Sequence, residues 1–491
     1  MTVMSRRSTD VTDRLIMGVA LAVVVAGSIW GLFDSGNGSA SSSLATRPKP
    51  TVSTAAPVAA VPRETTTTIA TTTVPYPVLA THPEALRGLG DLAYLSGGQL
   101  FVLDGTGAAP YRVPGAGKAG VAGATRVRLS ENGGFVAYQE GTDLWVAPTF
   151  GGRKPRLVSE HVAHWDWSPS VDVLAVVERP SNISALGGDL LLSGYGNEVH
   201  VAPGVHVDDI VWSPDGHTLA FTAETDVLAP GQLYVASIEC TSDCTATTRP
   251  IPINAAPDQI DVRAGTFAGW SEGATRVFVW LDPIGSASIM LDGLPIASIP
   301  LDGTLAVLLP STLVKPSWVA PIPSTQQVLL NVGEGRSWFD SQRSIDSCDV
   351  TSGACTQLVN GDGPVVDPAI SFDGQHLAYV QTDSIEPRVM PSDSIRWNAS
   401  RRLVVAGINN DAPHVIADGG VIAPRWSRDA RHLVFARQGY LWVVDVAGGD
   451  AVAVAGPINE NDGRASLGLQ FEEQPYLFPG DDVWSTADWT R

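Results

Sequence analysis

From about residue 88 onward, apolar residues fall in short alternating runs, each bounded by clusters of Gly, Pro, Asp and Ser. Alternation with a period of two marks half-buried strands, and the turn formers stop each run before a helix could be built. The pattern also repeats. Its clearest unit is Val211-Trp212-Ser213-Pro214-Asp215-Gly216-His217-Thr218-Leu219-Ala220-Phe221. One strand ends at the aromatic residue, a tight turn follows, and a second strand begins. In that turn Pro presets φ, Asp can bond its own backbone, and Gly takes the left-handed position.

Other copies align on the same serine. Asp166-Trp167-Ser168-Pro169 precedes Leu174-Ala175-Val176, and Gly269-Trp270-Ser271 precedes Val277-Phe278-Val279. Ile370-Ser371-Phe372-Asp373-Gly374 precedes Leu377-Ala378-Tyr379, and Arg425-Trp426-Ser427 precedes Leu433-Val434-Phe435. Weaker copies sit at Ser130 and Ser324. A third strand follows in several units, as in Asp143-Leu144-Trp145-Val146 and Tyr440-Leu441-Trp442-Val443. Spacing of this size belongs to four-stranded propeller blades, whose sheets cannot bury both faces alone and must stack around a closed ring. Trp167, Trp212, Trp270 and Trp426 share one repeat position and are assigned to packing between blades. Leu92–Leu95 and Gln99–Asp104 read as a unit lacking its first strand, which Leu467–Phe471 or Val483–Trp489 could supply from the C-terminal tail. The expected fold is all-β, a seven- or eight-bladed β-propeller over residues 82–491.

These repeats resemble the WD40-like β-propeller repeats of the TolB family, whose hallmark is WSPDG followed by a short apolar strand such as LAF. Val211–Phe221 matches almost letter for letter, and four other units match with losses, such as Val171 and Ala430 where Gly is usual. The resemblance covers most of residues 88–455 and implies a propeller. The TolB propeller is a periplasmic protein-binding module, but TolB carries a different N-terminal domain, so its partner does not carry over. Function must be argued from a site.

The N-terminal part reads differently. Leu15–Phe33 is an uncharged apolar stretch, long enough at about 1.5 Å per residue to cross a bilayer as a helix. Arg6, Arg7 and Arg14 precede it and no base follows until Arg47, so residues 1–14 are expected in the cytoplasm and the bulk outside. A cleaved signal peptide, with Gly38-Ser39-Ala40 at the cleavage site, is the competing reading. Residues 34–81 are rich in Ser, Thr, Ala and Pro and are expected to form a disordered stalk. The four cysteines come in two close pairs, Cys240 with Cys244 and Cys348 with Cys355, without His beside them or a CxxC spacing. Two local disulfides fit an oxidising, extracytoplasmic location at the cell membrane.

Composition narrows the partners. With 51 acidic against 31 basic residues the net charge is −20, opposite to what a phosphate backbone attracts, so nucleic acid is not an expected partner. HExxH, P-loop and EF-hand motifs are absent, and no cofactor or metal is expected. Ser213-Pro214-Asp215-Gly216 fails the sialidase box because its Gly falls one place early. Prolyl-oligopeptidase-type peptidases add an α/β-hydrolase domain to a propeller, but only residues 446–491 follow Asp445. His161, His164, His200 and His206 fall in one region and are read as scattered surface histidines. Asp166, Asp208 and Asp209 sit near an inner strand, where a channel carboxylate could hold a cation or a sugar.

Loop length carries the functional expectation. Connections between second and third strands share one face of a propeller. They are long at Glu178–Glu198, Thr222–Gly231, Gly333–Ser344 and Gln381–Arg401, and short at Ser96–Gly98, Gly141–Thr142 and Gln438–Gly439. Long loops on one face of a rigid scaffold are a common way to build a binding surface. These carry Tyr195, Trp338, Phe339 and Trp397, with Arg336 and Arg396 and also Arg343 and Arg388, residue types that anchor interfaces. The alternative role for the aromatics is to tuck the loops onto the blades. The expected function is a membrane-anchored extracytoplasmic scaffold that binds a protein or a cell-wall glycan. A lyase- or glycosidase-type enzyme using the propeller channel, or a sensory ectodomain whose output lies in another protein, are the rivals.

Overall fold

The structure is a computed structural model. It describes residues 78–489 except 118–122, 180–187, 195–197, 204, 225–230, 241–242, 254–261, 284–292, 334–342, 385–395, 397–398 and 459–486. The chain divides into Met1–Thr73, which lies outside the described residues, and Val74–Arg491. The second unit is an eight-bladed β-propeller, each blade a four-stranded antiparallel sheet.

Blade 2 spans residues 124–159, blade 3 162–200, blade 4 206–251, blade 5 262–312, blade 6 319–360, blade 7 365–417 and blade 8 422–455. In each of these the four strands lie side by side in sequence order, the first innermost. Blade 1 is assembled from both ends of the chain. Leu92–Ser96, Gln99–Leu103 and Tyr111–Arg112 supply three strands, and Ala487–Trp489 supplies the innermost one, with Leu92 opposite Trp489. The expected closure is therefore present, from the second of the two candidate tail segments.

The apolar core lies between blades rather than at the axis. One cluster fills each of the eight blade interfaces. Between blades 3 and 4, Val177 and Leu192 meet Trp212 and Phe221. Between blades 8 and 1, Val434 and Leu441 meet Leu92 and Trp489. This is how sheets too small to shield themselves become stable.

The repeat turn is a compact hydrogen-bonded device. Ser213 donates to Asp215 (2.6 Å), and its Oγ accepts from the Thr218 amide (2.9 Å). Asp215 accepts from the His217 amide (3.0 Å), and the Gly216 amide donates to the Ser213 carbonyl (2.9 Å). Ser371 with Asp373 and Ser427 with Asp429 repeat this network. Gly216 has φ +70°, and a Cβ there would lie 2.1 Å from Ser170 Oγ in the turn of the preceding blade, so both backbone and space require glycine. Ala274 and Ala430 hold the same place at φ 51° and 55°.

In blade 6 the expected marker, Ser324, is displaced. The bonds that Ser213 makes to Thr218 and Gly216 are made there by Ile322, through Gln327 and Thr325. The true repeat position is thus Ile322, and the Thr325 hydroxyl, which accepts from the Gln327 amide, takes over the serine's role.

The four repeat tryptophans pack between blades, as expected, and also form a regular bond. Each indole N–H donates to a carbonyl on the inner strand of the preceding blade. Trp167 reaches Arg128 (3.3 Å), Trp212 reaches Asp166 (3.3 Å), Trp270 reaches Val211 (3.2 Å), and Trp426 reaches Ala369 (3.1 Å). Each acceptor lies two residues before its blade's marker serine. Disulfides Cys240–Cys244 and Cys348–Cys355 close the hairpins between the third and fourth strands of blades 4 and 6.

Candidate functional site

The blade topology places all connections between second and third strands at one mouth of the ring. They run 97–98 in blade 1, 141–142 in blade 2 and 438–439 in blade 8. In blades 3 to 7 they run 179–188, 225–231, 284–293, 333–343 and 382–401. The third strand of blade 3, Asp189–Ser193, lies inside the stretch expected to be loop from Glu178 to Glu198. Tyr195, Arg336, Trp338, Phe339, Arg388 and Trp397 lie outside the described residues, and Arg396 is exposed. Arg343 differs from expectation. It is 1% exposed, donates to the Gly333 carbonyl (2.9 Å) and stacks over Trp318 at 5.5 Å, so it braces the base of its loop.

Inside the same mouth, one repeat position recurs in seven blades, on the inner strand in six of them and in the turn Pro316–Trp318 just before it in blade 6. Counted four residues before each marker it holds Arg126, His164, Asp209, Phe267, Trp318, Asp367 and Ala423 in blades 2 to 8. In several blades a β-bulge falls beside it, as between Val207 and Asp209 and between Val366 and Ala369. A bulge re-aims a side chain, here across to the neighbouring inner strand. Asp209 accepts from the Phe267 amide (2.9 Å) and Asp367 from the Ala423 amide (3.1 Å), so the girdle is stitched from blade to blade. Nearer the turn end of the inner strands, Asp488 makes a comparable link for the closing strand, accepting from the Leu129 amide (2.9 Å) and pairing with Arg425 (3.2 Å).

On one side of the girdle sits an accessible polar group. His164 Nδ1 lies 3.5 Å from Asp209 Oδ1, with the two side chains 41% and 19% exposed. The Arg126 guanidinium stacks over Trp165 at 4.6 Å, and the Trp165 indole donates to Gln139 (3.1 Å). Protein surrounds these groups while water still reaches them, as suits the wall of a narrow channel. Enclosure raises the Asp209 carboxyl above its ordinary range, against the pull of His164 and the Phe267 and Ile210 amides. Enclosure lowers His164; Asp209 opposes this, and Arg126 and Arg179 add to it. A pair weakly committed to charge suits a site that exchanges protons or hydrogen bonds with a ligand.

The opposite side is closed. Asp367 is 7% exposed and accepts from Lys315 Nζ (3.0 Å) and the Trp318 indole (2.8 Å). Burial by itself would raise this carboxyl; Lys315, Arg401, Trp318 and the Ala423 amide overcome it and hold the group down at about 2.

Of the carboxylates singled out from sequence, Asp209 reaches the channel pair, whereas Asp166 bonds the amide of Trp167. His164 alone of the four grouped histidines joins the Asp209 pair. His200 lies on the outermost strand of blade 3 and His206 begins the inner strand of blade 4. Among the described residues no group of three His, Cys, Asp or Glu is arranged to hold a metal ion. Gly269-Trp270-Ser271-Glu272-Gly273 spells the G-x-S-x-G pattern of a hydrolase elbow. Here it is a repeat turn: Ser271 is 4% exposed and its Oγ accepts from the Arg276 amide (3.1 Å) between two antiparallel strands.

These features define a β-propeller of eight blades, closed by its own C-terminal strand, with a polar girdle at the long-loop mouth. No protein-family model matches the chain, and no curated protein matches it. A solved structure of the eukaryotic initiation factor is similar over 74% of this chain and 84% of that one, at 11% identity and a TM-score of 0.43.

Proposed function

We propose that this chain is a binding or scaffold module of the cell envelope, tethered through Leu15–Phe33 and presenting the long-loop mouth to a protein or cell-wall glycan. The observation that carries the reading is the asymmetry of that mouth. Second-to-third connections are two residues long in blades 1, 2 and 8 and much longer in blades 3 to 7, all on one rigid ring. The WSPDG-type repeats support kinship with TolB-like propellers, and the two disulfides support an oxidising compartment. The uncharged stretch at 15–33 lies outside the described residues, among which no helix is long and apolar enough to cross a membrane.

The test uses the fragment beginning near residue 82 as bait on envelope extract. Replacing Trp338, Phe339 and Trp397 together with Ala abolishes capture and leaves the melting temperature nearly unchanged. A large drop in melting temperature would instead assign these aromatics to loop packing.

The accessible His164–Asp209 pair favours a second reading, a channel enzyme of lyase or glycosidase type. It requires turnover of an envelope polysaccharide that Asp209→Asn removes. Glycan binding without turnover returns the site to the scaffold reading.

A further inference from the structure

Blade 1 differs from the other seven in how its innermost strand is held. Elsewhere that strand runs through a tight turn into its neighbour. In blade 1 the neighbour, Leu92–Ser96, comes from the opposite end of the chain, and the inner strand is only Ala487–Trp489. Blade 6 has an inner strand as short, Val319–Pro321, but there a turn joins it directly to its neighbour Gln327–Val332.

The slot is nevertheless specific. Its register sets Leu92 opposite Trp489, Ala93 opposite Asp488 and Tyr94 opposite Ala487. Asp488 fills a polar subsite, bonding the Leu129 amide (2.9 Å) and Arg425 (3.2 Å). Trp489 fills an apolar one: it is 3% exposed, packs in the cluster between blades 8 and 1, and donates its indole N–H to the Leu89 carbonyl (2.9 Å). The slot therefore selects an extended Asp-Trp peptide, by main-chain pairing for affinity and two side chains for identity.

Residues 459–486 join this strand to Ile458, where the other interblade connections are far shorter, such as 160–161 and 418–421. Fully extended, that length reaches at most roughly 100 Å. By length alone such a connection is long enough to reach a neighbouring ring, and for a flexible join of this length the effective concentration of the tail is on the order of millimolar. A second copy crowded to comparable density competes on equal terms.

We propose that blade 1 is an exchangeable strand-acceptor site, and that its trans occupant is the Ala487–Trp489 tail of a second copy of this chain. Reciprocal exchange would give a closed two-fold dimer in which each ring is completed by the other. The proposal is independent of the ligand at the long-loop mouth.

The experiment uses two populations of the purified full chain. One carries Tyr94→Cys with a first affinity tag, and the other carries Ala487→Cys with a second tag. They are mixed at about 10 μM and at about 1 mM, bracketing the expected range, and then oxidised. A disulfide between tags forms only when the tail of one chain occupies blade 1 of the other. We expect little at the lower concentration and a large interchain fraction at the higher. Adding Trp489→Ala to the donor lowers it at least about tenfold, as loss of a buried Trp anchor does.

A single chain bearing both cysteines is the control; its internal cross-link shows that the slot survives the substitutions. If that control forms and no interchain product appears at either concentration, the proposal is overturned. If the control does not form, co-purification of two differently tagged chains with native Tyr94 and Ala487 decides. Mixing abolished by Asp488→Ala with Trp489→Ala supports exchange. No mixing, or mixing indifferent to those changes, overturns it.

Discussion

Asp209 and Asp367 occupy the same repeat position on opposite sides of the girdle, yet they are different objects. Both accept an amide from the next inner strand, at 2.9 and 3.1 Å, and that shared bond is what the backbone repeat supplies. Everything else comes from the neighbours. Asp367 has the fully buried Trp318 on one side and Lys315, 16% exposed, at 3.0 Å. Asp209 has His164 at 3.5 Å and retains access to water. A repeat fold fixes where a carboxylate sits, and the variable residue on the adjoining blade decides whether it locks the ring or stays available to a ligand.

The largest separation between the two is expected on truncation. Asp367→Ala removes the buried carboxylate that both Lys315 and the Trp318 indole bond; because Lys315 is still 16% exposed, the loss should be about 2–4 kcal/mol, somewhat below that for breaking a fully buried pair. Denaturant unfolding of the purified propeller measures it. A loss under about 1 kcal/mol would mean that Lys315 swings to solvent and that the closed side is not closed.

Acid should separate them next. The Asp367 carboxyl is held at about 2, below its ordinary 3.8. A depressed carboxylate contributes stability above the unfolded value, and that stability is lost as pH falls through the folded one. The contribution is about 2 kcal/mol, disappearing between roughly pH 4 and 2. Asp209 is raised, so the sign reverses: its contribution falls as pH rises above 3.8 through its folded value. Unfolding free energy measured from pH 5 to pH 2 should therefore fall less steeply in Asp367→Asn than in the parent, and no less steeply in Asp209→Asn, the other depressed carboxylates such as Asp349 being common to both.

This contrast was only partly legible in the sequence. The blades were, because Trp-Ser-Pro-Asp-Gly encodes its own turn through bonds within six residues, and local chemistry survives transcription into a string of letters. Ser324 misled for the same reason. In blade 6 the turn is kept by Thr325 and the marker place has gone to Ile322, so a search for serine lands two residues late. The closing strand was readable as a missing piece, though its extent was not. The girdle was invisible as a set, since Arg126, His164, Phe267, Trp318 and Ala423 share no chemistry with the two aspartates between them. Counting four residues back from each marker would have aligned all but Trp318, whose marker was displaced. The loop aromatics were legible as composition alone, because what they face depends on contacts between distant blades.

A smaller effect comes from neutralising the open side without deleting it. Asp209→Asn keeps an oxygen for the Phe267 amide and removes an enclosed charge together with its attraction to His164. These changes oppose each other, so the stability change should stay within about 1 kcal/mol. A loss as large as that of Asp367→Ala would show the two sides to be equivalent and would remove the argument for an available site.

The finest test reads His164 directly. Its ring is lowered from 6.5 first by enclosure and further by Arg126 and Arg179, while Asp209 pulls it upward. Removing the carboxylate charge in Asp209→Asn should therefore move the titration midpoint of His164 down, and removing the guanidinium in Arg126→Ala should move it up. Proton NMR of the ring across pH 4 to 8 follows both in the folded protein. Opposite displacements would establish that His164 responds to the charges around the channel mouth. Displacements of the same sign would mean that either substitution rearranges the inner strands, and the electrostatic account of the open side would have to be given up.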